Sequence, residues 1–138
     1  MTSARPDLAE MIGPLGRTLL AIEAPILQAN GLAMWAYAVL LHLGEQPVRT
    51  QNALADGIGA DRTRIIKILD DLTARGLIRR WPDPADRRVR LLAITDEGRR
   101  LRDATRTAIQ AAEEELLARL TPPEREAFLS ALRKLSET

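Results

Sequence analysis

Residues 61–98 have the sequence DRTRIIKILDDLTARGLIRRWPDPADRRVRLLAITDEG, in which the spacing of apolar side chains changes from helical to extended. Asp61 is a suitable N-cap for a helix that would stop at Gly76. The apolar side chains of this helix recur at steps of three and four, and they comprise Ile65, Ile68, Leu69 and Leu72. Beyond Gly76, extended runs at 77–81 and 87–95 flank a turn rich in proline. We therefore predict a helix followed by a β-hairpin.

A shorter helix is predicted immediately before this segment. Thr50 is a good N-cap for it, and either Gly57 or Gly59 would end it. Upstream of the cap, Val48 and Arg49 suit no more than an edge strand. Two short helices joined by a turn that contains glycine are typical of a helix-turn-helix, and the hairpin that follows them supplies a wing. The sequence thus predicts a winged helix-turn-helix.

Helical patterns flank the winged region on both sides. A first helix is expected from about Pro6 to the region of Ile26, and the Asn-Gly pair at 30–31 should stop it. Pro14 and Pro25 lie within this pattern and should kink the helix or end it.

Three further helices complete the pattern. One is expected from about Ala33 to Leu43, a long one after the cap Thr95, and the last after a capping box that begins at Thr121. The predicted fold class is therefore mainly α (α+β), with six helices and a two- to three-stranded wing sheet.

The outer helices carry more apolar surface than the small winged core could cover. A partner subunit would explain this excess, and packing within one chain is the alternative. We expect a single domain over residues 1–138, with a winged lobe at 31–98 and dimerisation helices at 1–30 and 99–138.

The composition argues against several kinds of site. The chain has no cysteine and one histidine, and it lacks the spacings of a Ser-His-Asp triad, a phosphate loop or a metal site. We therefore expect no enzyme activity, no metal and no other cofactor. The first residues lack the layout of a signal peptide, and the alanine-rich stretch at 24–44 suits a buried helix better than a membrane span. A cytoplasmic protein without a membrane partner is expected.

Positive charge is concentrated in one block of the chain. Residues 61–90 carry nine basic and five acidic side chains, although the formal net charge of the whole chain is only +1. Such concentration is expected of a surface that binds nucleic acid, and a solvated face without function has the same composition. The same fold could also serve protein–protein contact, but a protein interface gains little from clustered arginines.

The helix after Asp61 presents groups that suit the major groove of duplex DNA. Opposite its apolar stripe lie Thr63, Lys67 and Asp70, because successive residues are separated by 100° around a helix. Hydroxyl, guanidinium, ammonium and apolar groups are the types that read base edges. The recognition-helix residues predicted to contact DNA are Arg62, Thr63, Arg64, Ile66 and Lys67.

The hairpin is predicted to be the second DNA contact. Residues i and i+2 of a strand share a face, so Asp86 could hold the guanidinium of Arg88 in one orientation for a narrow minor groove. Phosphate contacts are predicted for the remaining basic residues and for the start of the short helix, namely Arg79, Arg80, Arg87, Arg90, Gln51 and Asn52. One face of the second strand should carry Val89, Leu91 and Ala93, and the other Arg88, Arg90 and Leu92.

The segment at 61–98 resembles the multiple-antibiotic-resistance regulator (MarR) family. The likeness is carried by the recognition helix, by Arg-Gly-Leu at 75–77, by Asp-Arg-Arg at 86–88, and by Ile-Thr with a following glycine at 94–98. It extends more weakly over the whole chain. The resemblance implies a triangular homodimer, joined through the first helix and the last two, in which each winged lobe binds half of a pseudo-palindromic operator.

The resemblance also implies residue roles and a regulatory cycle. It places Thr63, Arg64 and Lys67 in the major groove, and the Asp86–Arg88 pair at the wing tip. Repression would be relieved by a small phenolic or anionic molecule in a crevice between the dimer helices and the DNA-binding lobe. Candidate residues for this crevice, with core packing or solvent exposure as the alternative for each, are Arg17, Trp35, Tyr37 and His42.

Overall fold

The computed structural model describes residues 4–45 and 49–137 of the chain. Val48, predicted to be part of an edge strand, lies outside the described residues. Within the described stretches the helices are α1 (Leu8–Ala29), α2 (Met34–Glu45), α3 (Gln51–Ile58), α4 (Arg62–Ala74), α5 (Asp96–Leu117) and α6 (Pro122–Ser136), and the strands are β1 (Arg49–Thr50), β2 (Ile78–Pro82) and β3 (Arg90–Ile94). The predicted winged helix-turn-helix of the mainly α class is confirmed.

The predicted capping residues begin helices α3, α4, α5 and α6. Thr50 accepts a hydrogen bond from the Ala53 amide at the start of α3, and Asp61 accepts one from the Arg64 amide at the start of α4. Such caps satisfy amide groups that have no partner inside the helix. Gly59 ends α3 with a φ of 71°, in the left-handed region that glycine adopts without strain. Local sequence therefore determines where these helices begin and end.

Of the two outcomes expected for Pro14 and Pro25, a kink or an end, the end does not occur, because helix α1 is continuous through both prolines. Each proline removes one amide donor, which leaves the carbonyl group four residues earlier without its helical partner. These carbonyl groups belong to Glu10 and Ala21, and both residues are exposed. Because water can reach the two groups, the helix tolerates the prolines. The predicted stop at 30–31 is observed.

The three strands form one antiparallel sheet in the order β1-β3-β2, with Arg80 of β2 opposite Leu92 of β3. Strand β3 is shorter than predicted, because residues 87 and 88 lie in a turn. Leu92, which alternation places on the same face as Arg90, is nevertheless fully buried, and Ala93 on the other face is buried as well. The inner end of β3 lies between two strands and packs against α2 and α3, which explains burial on both of its faces.

The core of the winged lobe is built almost entirely from aliphatic side chains. Leu40 and Leu43 of α2 contribute to it, as does Leu54 of α3. The inward stripe of α4 is confirmed, because Ile65, Leu69 and Leu72 are at most 1% exposed. Burial of such side chains stabilises the fold by roughly 1.5–3 kcal/mol each. These core contacts orient the opposite face of α4 toward solvent.

A set of hydrogen bonds joins the end of the wing to the long helix α5. The Thr95 hydroxyl donates to the Gly76 carbonyl oxygen at 2.7 Å and accepts from the Gly98 amide at 3.0 Å. The Thr95 amide donates to the Leu77 carbonyl oxygen at 3.1 Å. Gly98 is packed so closely that a Cβ there would overlap this carbonyl. We call this arrangement of Gly76, Leu77, Thr95 and Gly98 the Thr95 corner.

Apolar side chains remain exposed on the outer helices. Those on α1 and α6 that are at least 46% exposed are Leu8, Met11, Ile12, Leu20, Leu132 and Leu135. Between α1, α5 and α6 lies an apolar groove of about 260 Å³, lined by Leu15, Leu19, Leu116, Phe128 and Leu129 among others. The excess of apolar surface expected from the sequence is therefore present in the single chain.

No single helix in 4–45 or 49–137 has both the length and the apolar character to cross a bilayer. Helix α1 and most of α2 meet these requirements only when taken together, and an 87° bend separates them.

Candidate nucleic-acid interface

The outer face of α4 presents the predicted recognition-helix side chains to solvent. Its five exposed residues in the first turns are Arg62, Thr63, Arg64, Ile66 and Lys67. Ile66 is 44% exposed although it is a large apolar residue. Three cations, a hydroxyl and an apolar group therefore lie within two turns of the helix start, where a helix that enters a major groove contacts base edges.

Arg88 and Asp86 form the ion pair that the sequence predicted, but in a turn and not on a strand. The Arg88 Nε donates to Asp86 Oδ1 at 3.1 Å, and its Nη2 donates to Oδ2 at 3.4 Å. The Arg88 backbone amide also donates to Asp86 Oδ1. The turn closes through bonds from the Asp83 amide to the Val89 carbonyl and from the Val89 amide to the Asp86 carbonyl. The turn backbone, and not strand alternation, therefore brings the two side chains together.

The electrostatics of this pair are simple. Hydrogen bonds from the Arg88 side chain and backbone hold the pKa of the Asp86 carboxyl below its usual value. The Arg88 side chain is nevertheless 91% exposed. Asp86 therefore fixes the direction of an arginine that remains fully available to a ligand.

The wing and the start of α3 face each other across a small polar cleft. The cleft has a volume of about 110 Å³ and is lined by Thr50, Gln51, Asn52, Arg88, Val89 and Arg90. The structure thus brings two predicted phosphate-binding groups, the first turn of α3 and the basic side of the hairpin, into one location.

A second cleft separates the hairpin from α4. It has a volume of about 420 Å³ and is lined by Gln51, Ile66, Asp70, Thr73, Arg80 and Arg90. We call it the α4–wing cleft. It connects a predicted recognition residue, Ile66, with predicted phosphate contacts on the hairpin.

Two of the predicted phosphate contacts are already engaged by neighbouring side chains. The guanidinium of Arg79 lies 5.2 Å from the centre of the Trp81 ring, a cation–π distance. Arg80 donates from Nη2 to Asp70 Oδ1 at 2.6 Å. The sequence pattern predicted only that Asp70 points outward from α4. It did not predict the contact with Arg80, because α4 and β2 are joined through the turn at Gly76, whose geometry the pattern does not specify.

The four effector candidates lie in different environments. Arg17 is exposed on α1, and Trp35 is half-buried on α2. The His42 ring lies against α3, since a Cβ at Gly57 would be only 2.9 Å from its Nε2. Tyr37 is 8% exposed. Among the described residues, no hydrogen bond or ion pair joins these four side chains to one another.

Tyr37 interacts with three charged residues that sequence reasoning did not identify. Burial raises the pKa of the Tyr37 hydroxyl. The positive charge of Arg106 and a hydrogen bond with Arg106 lower this pKa, whereas the negative charges of Glu23 and Glu113 raise it. Burial, followed by the negative charge of Glu113, also raises the pKa of Glu23. The three charged partners lie on α1 and α5, so only the packed helices reveal the group.

Comparison with known proteins identifies the family. A model of the MarR family matches residues 30–89. The transcriptional regulator HosA of Escherichia coli O111:H- is 33% identical over 99 residues, which cover 72% of this chain and 73% of HosA.

Solved structures agree with this match. CouR from Rhodococcus jostii RHA1, bound to p-coumaroyl-CoA, has a TM-score of 0.77 at 30% identity and covers 96% of this chain and 94% of its own. The transcriptional repressor CouR bound to a 23-mer DNA duplex has a TM-score of 0.82 at 27% identity, with 95% and 93% covered. The winged frame, its basic face and these likenesses together show that the chain belongs to the MarR family of transcriptional regulators, which are not enzymes.

Proposed function

We propose that this chain is a homodimeric, sequence-specific DNA-binding repressor that a small phenolic or anionic molecule releases from its operator. The observation that supports this most strongly is the pairing of two exposed elements on one rigid frame. These elements are the first turns of α4 and the wing tip, where Asp86 aligns Arg88. One suits a major groove and the other suits the adjacent minor groove.

The residue roles in this proposal follow from chemistry and exposure. Arg62, Thr63, Arg64, Ile66 and Lys67 of α4 would read the major groove. Arg88 would enter the minor groove, where a narrow width strengthens the negative potential. Phosphate contacts, which position the protein, would come from the exposed arginines of the hairpin and the start of α3, namely Arg79, Arg87, Arg90, Gln51 and Asn52.

The dimer in this proposal would be formed by the outer helices. Exposed apolar side chains on α1 and α6 and the apolar groove beside α5 provide a surface that a second copy of the chain would cover. Residues 1–30 and 99–138 would then serve dimerisation, and residues 31–98 would bind DNA. Two recognition helices about 34 Å apart would fit successive turns of one face of the duplex.

The effector would act by changing that spacing. The group around Tyr37 joins α1, α2 and α5, which are the helices between the proposed dimer surface and the winged lobe. Arg106 and the Tyr37 hydroxyl would suit a carboxylate or a phenol. CouR, whose structure contains p-coumaroyl-CoA, supports this ligand class. A coupling of about 1–3 kcal/mol would change operator affinity by 5- to 150-fold.

The alternative is a winged dimer that contacts another protein. The two functions differ in their response to salt, because phosphate binding releases counterions and protein contact through apolar groups does not. Fluorescence anisotropy of a labelled random-sequence duplex, measured over a range of salt concentrations, should give a log–log slope of several units per dimer. A flat response would support the alternative.

A second measurement tests specificity and release. Selection from a randomised duplex library should return a pseudo-palindromic operator, and p-coumaroyl-CoA or a simple phenolic carboxylate should weaken its binding. Enrichment of no sequence over random DNA would contradict the proposed specificity.

A further inference from the structure

The Arg80–Asp70 ion pair joins the recognition helix to the wing. Arg80 Nη2 lies 2.6 Å from Asp70 Oδ1, and the side chains are 22% and 60% exposed, respectively. Arg80 is thus much less exposed than Arg88, which also has an aspartate partner but is 91% exposed. Asp86 at the wing tip holds Arg88 in solvent, whereas Asp70 holds Arg80 close to the protein surface.

The position of the pair places it beside the proposed DNA contacts. Asp70 is one helical turn beyond Ile66 on the outer face of α4. Both residues line the α4–wing cleft together with Gln51 and Arg90. An unpaired cation at Arg80 would therefore add to the positive potential that attracts phosphate groups.

The pair changes the electrostatics of this surface. When Asp70 accepts from Arg80, the two formal charges cancel locally. Phosphate contacts increase affinity for every DNA sequence alike, whereas base contacts distinguish sequences. A regulator that must find one operator among many sites benefits from fewer sequence-independent contacts.

We propose that Asp70 is a positioning residue that sets specificity, because it holds Arg80 away from the DNA backbone and fixes the wing against the recognition helix. This inference rests on the proposed DNA-binding function. It assigns Arg80 a role other than the phosphate contact that the sequence suggested.

The test compares Asp70→Asn with the wild-type protein on a labelled random-sequence duplex and on the operator selected by the wild-type dimer. Asparagine has the same size but no negative charge, so the positive charge of Arg80 is no longer neutralised and only a weaker neutral hydrogen bond can hold its side chain. Affinity for the random duplex should rise severalfold, and the salt slope should steepen by roughly 0.9 per bound subunit. The operator should gain less, because the wing is no longer fixed, so the ratio of operator to random affinity should fall.

Two matched variants make the result specific. Asp71→Asn makes the same charge change at the next residue, where the partner is Arg75 at the far end of α4 and the exposure of 64% is similar. This variant should leave the slope and the ratio unchanged. Arg80→Gln should also leave the slope unchanged, whereas Arg90→Gln, which removes an exposed cation of the same hairpin, should reduce it by roughly 0.9 per subunit.

The outcomes separate this inference from the proposed function. If the wild-type protein binds no duplex even at low salt, the DNA-binding function itself is wrong. If the wild-type protein binds but Asp70→Asn keeps the wild-type slope and ratio, Asp70 has no such role. An equal loss of slope in Arg80→Gln and Arg90→Gln would show that Arg80 contacts phosphate in the native protein, and this would overturn the inference too.

Discussion

Arg88 and Asp86 form a two-point contact at the wing tip, with Nε 3.1 Å from Oδ1 and Nη2 3.4 Å from Oδ2. The Asp86 carboxylate also accepts from the Arg88 backbone amide, so one side chain orders both the turn and the guanidinium. An arginine that is already aligned loses less side-chain entropy when it binds. The Arg88 side chain at the wing tip is therefore already ordered before any ligand binds.

Arg88→Ala should weaken operator binding by about 1.5–3 kcal/mol per subunit, because a charge-assisted contact is lost. Dimerisation should be unaffected, since the wing tip is remote from α1 and α6. Anisotropy titration and light scattering measure the two properties. Asp86→Asn retains the cation without its alignment, so its loss of affinity should be smaller. Full operator affinity in Arg88→Ala would remove the wing tip from the mechanism.

Lys67→Ala should reduce the ratio of operator to random affinity, because an ammonium that contacts base acceptors contributes about 1–3 kcal/mol to discrimination. Lys134, the only other lysine in the chain, lies exposed on α6 and is a matched control. Lys134→Ala should keep the wild-type ratio. Competition titrations with both duplexes check this, and an unchanged ratio in Lys67→Ala would show that Lys67 is not a specificity contact.

Ile12→Glu should dissociate the proposed dimer, because Ile12 is 57% exposed in the single chain and borders the apolar groove. Ile66→Glu makes the same change at a 44% exposed isoleucine of the recognition helix. It should keep the dimer but lose DNA binding, since its carboxylate faces phosphates. Sedimentation equilibrium and anisotropy distinguish the two results. A stable Ile12→Glu dimer would place the interface elsewhere.

The Glu114–Arg125 pair should make the packing of α6 on α5 depend on pH. Its two bonds measure 2.6 and 2.8 Å, and the hydrogen bond from Arg125 holds the pKa of Glu114 below its usual value. A carboxyl whose folded pKa is lowered stabilises the fold above its unfolded pKa, about 4.3 for glutamate. This contribution disappears as the pH falls through the lowered value.

Glu114→Gln should therefore melt at a lower temperature than wild type at neutral pH, and the difference should vanish in acid. Thermal melts followed by circular dichroism at several pH values measure it. Glu115→Gln, at an exposed neighbouring glutamate, is the control and should melt like wild type. A difference that persists below the lowered pKa would contradict the role of the pair.

Gly98→Ala should destabilise the fold by about 1–3 kcal/mol, because its Cβ would overlap the Leu77 carbonyl and crowd Ile94 Cγ1. Gly13→Ala is the control, since a Cβ there meets Arg17 Nη1 at an ordinary 3.6 Å. Alanine should stabilise that helical position by roughly 0.5–1 kcal/mol. Urea unfolding of both variants tests the contrast, and equal stabilities would show that the Thr95 corner can relax.

Much of the fold could be predicted because its signals are local. The caps Thr50, Asp61 and Thr95 each act through one side chain and an amide three residues away, and periodicity indicated the buried face of α4. The errors concern tertiary environment. Leu92 is buried because α2 and α3 pack against the inner end of β3, and α1 passes through its prolines because solvent reaches the freed carbonyl groups.

In the candidate site, too, the features that depend on local sequence could be predicted and those that depend on tertiary packing could not. Exposure of the recognition-helix residues followed from helical geometry, and the Asp86–Arg88 pair from short spacing. The Arg80–Asp70 pair joins residues ten positions apart across a helix–strand junction, and the Tyr37 group draws on three helices. Such contacts depend on how elements pack, which a single sequence does not specify.

The Thr95 corner has a mechanical consequence. Three hydrogen bonds of Thr95 and the close packing at Gly98 join the residues that precede β2 to the 22-residue helix α5. The helix is about 33 Å long, and the close packing at Gly98 leaves little room for movement at this junction. A small tilt of α5 would therefore also move the winged lobe, so the proposed effector could act without touching the proposed DNA-binding surface.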